Sequence, residues 1–173
     1  LSLITSNLGE KIDHISNYAI TLSINSNIAD VLKENPTVPE NTLEHFLVNS
    51  ELTDQAQRII GLHKNIYAWD ILDTENHWFH SSTTETDQLD SILGSEILDS
   101  LQTNLAFQFL GPFQISGEPT FVALKSITNI DNTKYLGALV LLIRETNISS
   151  AFRDLPDSSS RDFYITDENG QIL

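Results

Sequence analysis

The stretch Leu136–Ile143 is the feature that most constrains how this chain can fold. Apart from Gly137, every residue in it is apolar. A strand with one face in water alternates apolar and polar residues, whereas a continuous apolar run predicts a strand that is covered on both faces. The preceding stretch Phe121–Thr128 is rich in strand formers, and Asp131–Lys134 between them is turn chemistry. The sequence therefore predicts a hairpin whose second strand lies centrally in a sheet.

A second hairpin is predicted earlier in the chain. Strand formers fill Ile66–Leu72, turn residues follow in Asp73–Asn76, and His77–His80 returns. Between the two hairpins, residues 83–93 are polar and predict a connection, and the stretch around 95–101 predicts a helix. A short helical turn is predicted over residues 147–152.

Residues 1–34 predict one long amphipathic helix that ends before Pro36. Its apolar residues recur every seven positions, as Leu1, Leu8, Ile15, Leu22 and Ala29. This narrow apolar seam favours packing within the domain, and contact with a second copy through its N-terminal half is an alternative. Two further helices are predicted, from position 41 or 42 to about 48 and from 53 to about 61.

The charge balance excludes some partners. Nine Lys and Arg residues oppose 24 Asp and Glu residues, for a net charge of −15. Such a surface repels the phosphates of nucleic acids and of anionic bilayers. The absence of cysteine excludes disulfides and thiol chemistry. Because the chain has no membrane-length apolar run, no initiator Met and no signal peptide, we expect a segment of a longer protein.

The last residues resemble the first hairpin. The segment Ile165–Leu173 parallels Ile71–Phe79, and residues 155–161 before it have the composition of a linker. The terminal strand either completes the first sheet or begins a second, truncated module, and its position after a linker favours the second alternative. We therefore expect a long helix over residues 1–35, a module over 36–155, and a linker with the start of a second module over 156–173.

Catalytic motifs are missing from the sequence. It has no GxSxG, no Gly-rich phosphate loop and no HExxH. His77 and His80 lie three apart on a predicted strand, so their side chains point to opposite faces and cannot readily share a metal ion. Neither a metal nor a cofactor is therefore expected.

The candidate ligand-binding residues are aromatic or charged side chains around the hairpins. They are Tyr67, Trp69, His77, Trp78, Phe109, Phe121, Lys125, Asp131 and Arg144, with Phe107 and Tyr135 in the same group. The aromatic residues fit a pocket wall or simply a core. An inward-pointing basic residue on a strand needs an anionic partner. Lys125 and Arg144 are therefore expected either to hold a ligand carboxylate or to pair with a surface acid.

The order of these elements resembles a known family. A long helix that contains Ile15–Leu22 and Ile28–Leu32 comes first, a turn hairpin follows, and the hairpin Ser126–Val140 comes later. This resembles the Cache ectodomains, extracytoplasmic relatives of PAS domains, and in particular those of double-Cache sensor histidine kinases of Gram-positive bacteria. The likeness implies an α+β fold in which a long N-terminal helix packs on a PAS-like antiparallel sheet with flanking helices.

The resemblance also implies a function. The chain would be the membrane-distal part of an extracellular domain that binds a small molecule and relays the signal through its long helix to a cytoplasmic histidine kinase, as a homodimer. The fragment itself would not be an enzyme. In double-Cache proteins that bind amino acids, a Tyr, Arg and Trp-Tyr motif grips the ligand with a later Asp, matched in hairpin position by Asp131.

Residues 95–115 contain neither Arg nor Trp, so that motif is absent. A sugar, a different carboxylate or no ligand therefore remain open. A chemoreceptor ectodomain of the same fold and a ligand-free structural or dimerisation module are the alternative functions.

Overall fold

The strand β5, Tyr135–Arg144, is central in an antiparallel sheet. The computed structural model describes residues 2–35, 38–61, 65–80, 86–129, 131 and 134–150. In this part of the chain the other strands are β1 (Ala68–Asp73), β2 (Trp78–His80), β3 (Gln108–Ile115) and β4 (Glu118–Thr128), and the strand order is β2-β1-β5-β4-β3. The predicted central position of the run from 136 to 143 is confirmed.

The continuous apolar run of β5 is explained by burial on both of its faces. Leu139, Leu141 and Ile143 belong to one core, and Ala138, Val140 and Leu142 belong to the other. The described helices are α1 (Ser2–Ser23), α2 (Ser26–Glu34), α3 (Leu43–Ile60), α4 (Thr86–Thr103) and the short α5 (Glu145–Ser149). The first core contains residues of α1, α2 and α3, and the second contains residues of α4. The predicted α+β class is confirmed.

The prediction of one uninterrupted helix over residues 1–34 is wrong. α1 ends at Ser23, and Asn25 caps a new helix, because its side-chain oxygen accepts hydrogen bonds from the backbone N–H of Asn27 (3.0 Å) and Ile28 (3.1 Å). Asparagine competes in this way for backbone donors that a continuous helix would use otherwise. The seven-residue seam nevertheless marks the buried side, since Ile15, Leu22 and Ala29 are buried.

The two predicted helices over 41–48 and 53–61 are one helix, α3. Thr42 caps it by accepting a hydrogen bond from the backbone N–H of His45 (3.1 Å). Val48, Leu52, Ala56 and Ile60 are buried at every fourth position, so one apolar stripe runs through the predicted break. Polar residues between them, such as Glu51, Asp54 and Arg58, are exposed on the solvent side of a continuous helix.

The predicted polar connection over 83–93 is wrong from residue 86 onward, where α4 begins. Leu89 and Leu93 are completely buried beneath the sheet and anchor this first half of the helix. Gly94, with φ of 49° and ψ of 165°, kinks the helix before the segment that the sequence predicted. The buried leucines, with the hydrogen bonds that Asp90 accepts from Trp78 and Gln88 from Ser116, hold this largely polar segment against the sheet.

The edge strand β3 was not predicted. Gly111 and Pro112 lie within it and disguise its pattern, and its register with β4 shifts between Leu110 and Phe113. Proline cannot donate to a ladder, so an edge position with an irregular register is where a strand tolerates it.

Both predicted hairpins are confirmed, as β1–β2 and β4–β5. The helical turn predicted over 147–152 begins earlier, at Glu145. Among the described helices, none is both long enough and apolar enough to cross a bilayer. The predicted linker and terminal hairpin lie outside the described residues, and the division into modules stays a prediction.

Close approach of β1 and β5 predicts that Gly137→Ala destabilises the protein. A Cβ at this position would lie 2.5 Å from the backbone oxygen of Leu72, a rigid neighbour. We expect the free energy of unfolding in urea to fall by about 1–3 kcal/mol.

The matched control for this substitution is Gly9→Ala. A Cβ at Gly9 would meet no atom within 4 Å, and the residue lies inside α1. We expect no loss, or a gain of up to about 1 kcal/mol, from the better helix propensity of alanine. Equal stabilities of the two variants would show that β1 and β5 are not in such close contact.

Candidate functional site

A cavity of about 330 Å³ lies between the start of α3 and the outer edge of β2. We call it the β2-edge cavity. Its lining combines hydrogen-bonding and aromatic side chains: Glu40, Asn41, Thr42, His45, Phe46, Asn49, Trp78 and His80. Its size is at the lower end of the range for small-molecule sites in proteins.

Side chains at and before α3 close the outer edge of β2. The Nε2–H of His45 donates to the backbone oxygen of Trp78 (3.0 Å), the side-chain oxygen of Asn49 accepts from the N–H of His80 (2.8 Å), and Glu40 Oε1 accepts from the N–H of Trp78 (3.4 Å). The His45 ring also stacks on Phe79, with ring centroids 4.8 Å apart. These contacts satisfy edge groups that would otherwise be open to another strand.

The wall formed by β2 is held in place by a buried carboxylate. Asp70 is completely buried, and its Oδ1 accepts a hydrogen bond from His80 Nδ1 (2.9 Å). Strand pairing sets Asp70 opposite His80, so both side chains project from the same face of the sheet. The Trp78 ring stacks against His80 at 6.0 Å, and its Nε1–H donates to Asp90 Oδ1 on α4 (2.9 Å). Since Nδ1 is engaged, His80 has Nε2 left for a further partner.

The turn of the β1–β2 hairpin is organised by a second carboxylate, Asp73. Its Oδ1 accepts from the backbone N–H of Glu75 and of His77 (both 2.8 Å), and its Oδ2 lies 3.0 Å from His77 Nδ1. His77 and His80 thus engage different carboxylates. Burial, and after it the negative charge of Asp73, raises the pKa of Tyr135 to about 12.

The sequence left two partners open for Arg144, a ligand carboxylate or a surface acid. In the structure Arg144 pairs with a surface acid. Its Nε–H donates to Glu118 Oε2 (2.7 Å), and both side chains are about half exposed. The guanidinium also lies 4.8 Å from the centroid of the Tyr67 ring, and the Tyr67 hydroxyl lies 3.3 Å from Thr120 Oγ1. This cluster lies at the opposite end of β5 from Asp73, since Arg144 pairs with Thr120 in the register and Gly137 with Asp73.

The predicted site residues do not converge on one pocket. Trp69 and Phe121 are buried in the core against α1–α3, where Phe121 stacks on Phe109 at 5.1 Å and Phe109 on Phe107 at 6.4 Å. Asp131 is exposed in the turn after β4. Lys125 lines a separate groove on the α1 side of the sheet. Of the nine predicted ligand-binding residues, Trp78 alone lines the β2-edge cavity, and the ligand role of each stays a prediction.

Sequence reasoning missed most of the β2-edge cavity. His45 and Asn49 lie four apart on one face of a helix, a spacing that presents both to the same neighbour. The spacing does not identify that neighbour. Only the packing of α3 beside β2 makes the two residues partners of the strand edge. Within the described ranges, no group of three or more His, Asp or Glu side chains is arranged to hold a metal ion.

Comparison with known proteins gives a likeness in structure without one in sequence. No family model matches the chain, and no curated protein matches it. Among solved structures, it is similar to the extracellular domain of the putative histidine kinase vpHK1S-Z8, with 17% identity and a TM-score of 0.58 over 87% of this chain and 56% of that one. It is also similar to the ligand-binding domain of the Campylobacter jejuni chemoreceptor Tlp3 in complex with L-norvaline, with 15% identity and a TM-score of 0.49 over 99% of this chain and 70% of that one.

These likenesses concern the fold. The chain spans little more than half the length of the kinase domain to which it is similar. The resemblance to extracellular sensor domains that the sequence predicted is confirmed at this level, with the order of helices and strands as its basis.

The buried pair of Asp70 and His80 predicts strong energetic coupling. We expect His80→Ala to lower the free energy of unfolding by about 2 kcal/mol, because it leaves a buried carboxylate without this donor. A double-mutant cycle with Asp70→Asn should give a coupling energy of about 1 kcal/mol or more. The exposed His14→Ala serves as the control and should change stability little. Additive effects in the cycle would contradict the pairing.

The raised pKa of Tyr135 predicts a loss of stability in alkali. The neutral form is favoured in the folded state, so the unfolded state releases this proton first, near the ordinary pKa of 10.0. The free energy of unfolding should therefore fall as the pH rises from about 10 towards about 12. Absorbance titration measures the ionisation, Tyr135→Phe identifies its contribution, and Asp73→Asn should shift it partway down. A Tyr135 transition near 10 would refute the assignment.

Proposed function

We propose that this chain is an extracellular ligand-sensing domain of a transmembrane receptor, and that the β2-edge cavity binds its ligand. The observation that carries the proposal is the fold, which is similar to the extracellular domain of a putative histidine kinase over 87% of this chain. The cavity supports it because its wall is already ordered by the contacts of Asp70, His80 and Trp78. A preformed wall lowers the entropic cost of binding, because its side chains do not have to be ordered by the ligand.

The lining favours a small neutral polyhydroxyl ligand such as a sugar over a carboxylate. Glu40 contributes a negative charge to the cavity, and Asp70 and Asp90 lie directly behind His80 and Trp78. These charges repel a carboxylate. The Phe46 ring, 67% exposed, offers an apolar surface, while Glu40 and His80 Nε2 supply hydrogen-bonding groups. A compact ligand with several hydroxyl groups can contact both the apolar ring and the hydrogen-bonding groups.

The receptor context is part of the proposal. The domain would stand on the extracellular side of the membrane, in a homodimer, and control a cytoplasmic histidine kinase. Binding changes output only by the difference in ligand affinity between two states of the receptor. α3 and the β1–β2 hairpin both contact the cavity, so a ligand there can favour one relative placement of the two.

Ligand-dependent unfolding tests the proposal. Thermal unfolding against monosaccharides, polyols, carboxylates and amines should yield a neutral polyhydroxyl ligand that raises the melting temperature. At about a hundred times its dissociation constant it should stabilise the domain by about 2.7 kcal/mol, which is a shift of several degrees. Phe46→Ala should weaken its binding by about three- to tenfold, because the exposed ring is a contact surface.

Leu43→Ala is the matched control, since Leu43 is 74% exposed on the same helix and does not line the cavity. It should leave binding unchanged. Autophosphorylation of the full-length receptor should respond to the same ligand and lose sensitivity with Phe46→Ala. A panel without any stabilising ligand, or a ligand that both variants bind equally, would count against the β2-edge cavity as the sensing site.

A further inference from the structure

A second groove lies away from the β2 edge, where the last turn of α1 meets β4. It has a volume of about 230 Å³ and is lined by Ile20, Ser23, Ile24, Leu105, Lys125, Ser126 and Thr128. We call it the α1–β4 groove. Exposed large apolar side chains gather there: of six in the described part of the chain, Ile20 (38% exposed), Ile24 (61%) and Leu105 (40%) all line it. An apolar concentration of this kind marks a binding surface more often than scattered exposure does.

Among the described residues that line this groove, Lys125 is the only one with an ionisable side chain. Its ammonium group donates a hydrogen bond to the backbone oxygen of Leu105, a neutral acceptor. No Asp or Glu of the described residues forms a salt bridge with it, whereas Arg144 on the neighbouring strand pairs with Glu118. An ammonium group has three N–H donors, so donors remain for a ligand.

The surroundings of Lys125 also make its charge costly without an anion. Burial lowers its pKa, because the charged form loses solvation against the apolar side chains. Like Lys11, Lys33 and Lys134, Lys125 forms no salt bridge with a described Asp or Glu, but Lys125 lies beside the apolar side chains of the groove. An anionic group in the groove would compensate the ammonium group for the solvation that it has lost.

From this combination we infer that the α1–β4 groove binds a small apolar monocarboxylate, with the carboxylate on Lys125 and the hydrocarbon tail over Ile20, Ile24 and Leu105. Charge complementarity selects the anion, and the volume of about 230 Å³ limits the tail to a short chain. An amine would be repelled by the ammonium group. A sugar would compete with existing hydrogen bonds, because the hydroxyls of Ser23 and Ser126 in the lining already donate to backbone oxygens.

Because of the position of the groove, such a ligand would influence how the end of α1 is placed relative to the sheet. It touches the end of α1, the junction with α2 at Ile24, and β4, the strand beside the central β5. A bound carboxylate would therefore fix the end of α1 relative to the sheet. This second input goes beyond the proposed function, and it does not depend on what binds in the β2-edge cavity.

Titration calorimetry of the whole chain with hexanoate tests the inference. Hexanoate should bind, and Lys125→Met, which keeps the hydrocarbon stem and removes the charge, should weaken binding about tenfold or more. Ile24→Ser should weaken it as well, and since Ile24 is exposed this variant should fold normally. Lys134→Met is the matched control, because Lys134 is an exposed lysine that does not line the groove.

Neutral and cationic analogues define the chemistry. Hexanol should bind wild type and Lys125→Met alike and more weakly than hexanoate binds wild type, and hexylamine should not bind. Failure of hexanoate to bind, binding that Lys125→Met and Lys134→Met reduce equally, or hexanol binding as tight as that of hexanoate would each overturn the inference. Phe46→Ala should leave hexanoate binding intact, so a failure of the β2-edge cavity as the sensing site is distinguishable from a failure here.

Discussion

Burial of β5 on both faces is the constraint on which the rest of the structure depends. Its alternate residues feed two separate apolar cores, one against α1–α3 and one against α4. A strand of this composition cannot lie at a sheet edge or face water, so helices are required on both sides. The other elements are positioned by this requirement, including the polar α4, which is held by its few buried leucines.

The same arrangement decides where binding chemistry can occur. Apolar cores cover both faces of β5, and the two cavities described above lie away from this strand, at the edge of β2 and beside the end of α1. At the first margin, carboxylates order a histidine and a tryptophan. At the second, a single lysine lies among apolar side chains. The two sites therefore differ in charge, and they would select ligands of different chemistry.

The chain is strongly acidic, and its basic residues Arg144 and Lys125 have different surroundings. Although the net charge is −15, Arg144 is the only described Lys or Arg side chain that forms a salt bridge with a carboxylate. It pairs with Glu118 on the surface, and its guanidinium lies over the Tyr67 ring. Lys125 forms no such pair and lines a groove beside the apolar side chains of Ile20, Ile24 and Leu105. Sequence composition alone cannot separate these two basic residues, because each directly follows a largely apolar run, 121–124 for Lys125 and 136–143 for Arg144.

The sequence by itself determined the two hairpins, the central place of β5, the α+β class and the buried side of the N-terminal helices. These features depend on residue periodicity and turn chemistry, which act over a few residues. It did not determine the helix break at Asn25, the continuity of α3 or the strand β3, since each depends on a local competition that packing resolves. The β2-edge cavity was decided by tertiary structure alone. His45 and Asn49 become partners of Trp78 and His80 only when α3 lies beside β2, and contacts between residues so far apart in the chain leave no periodic signal in it.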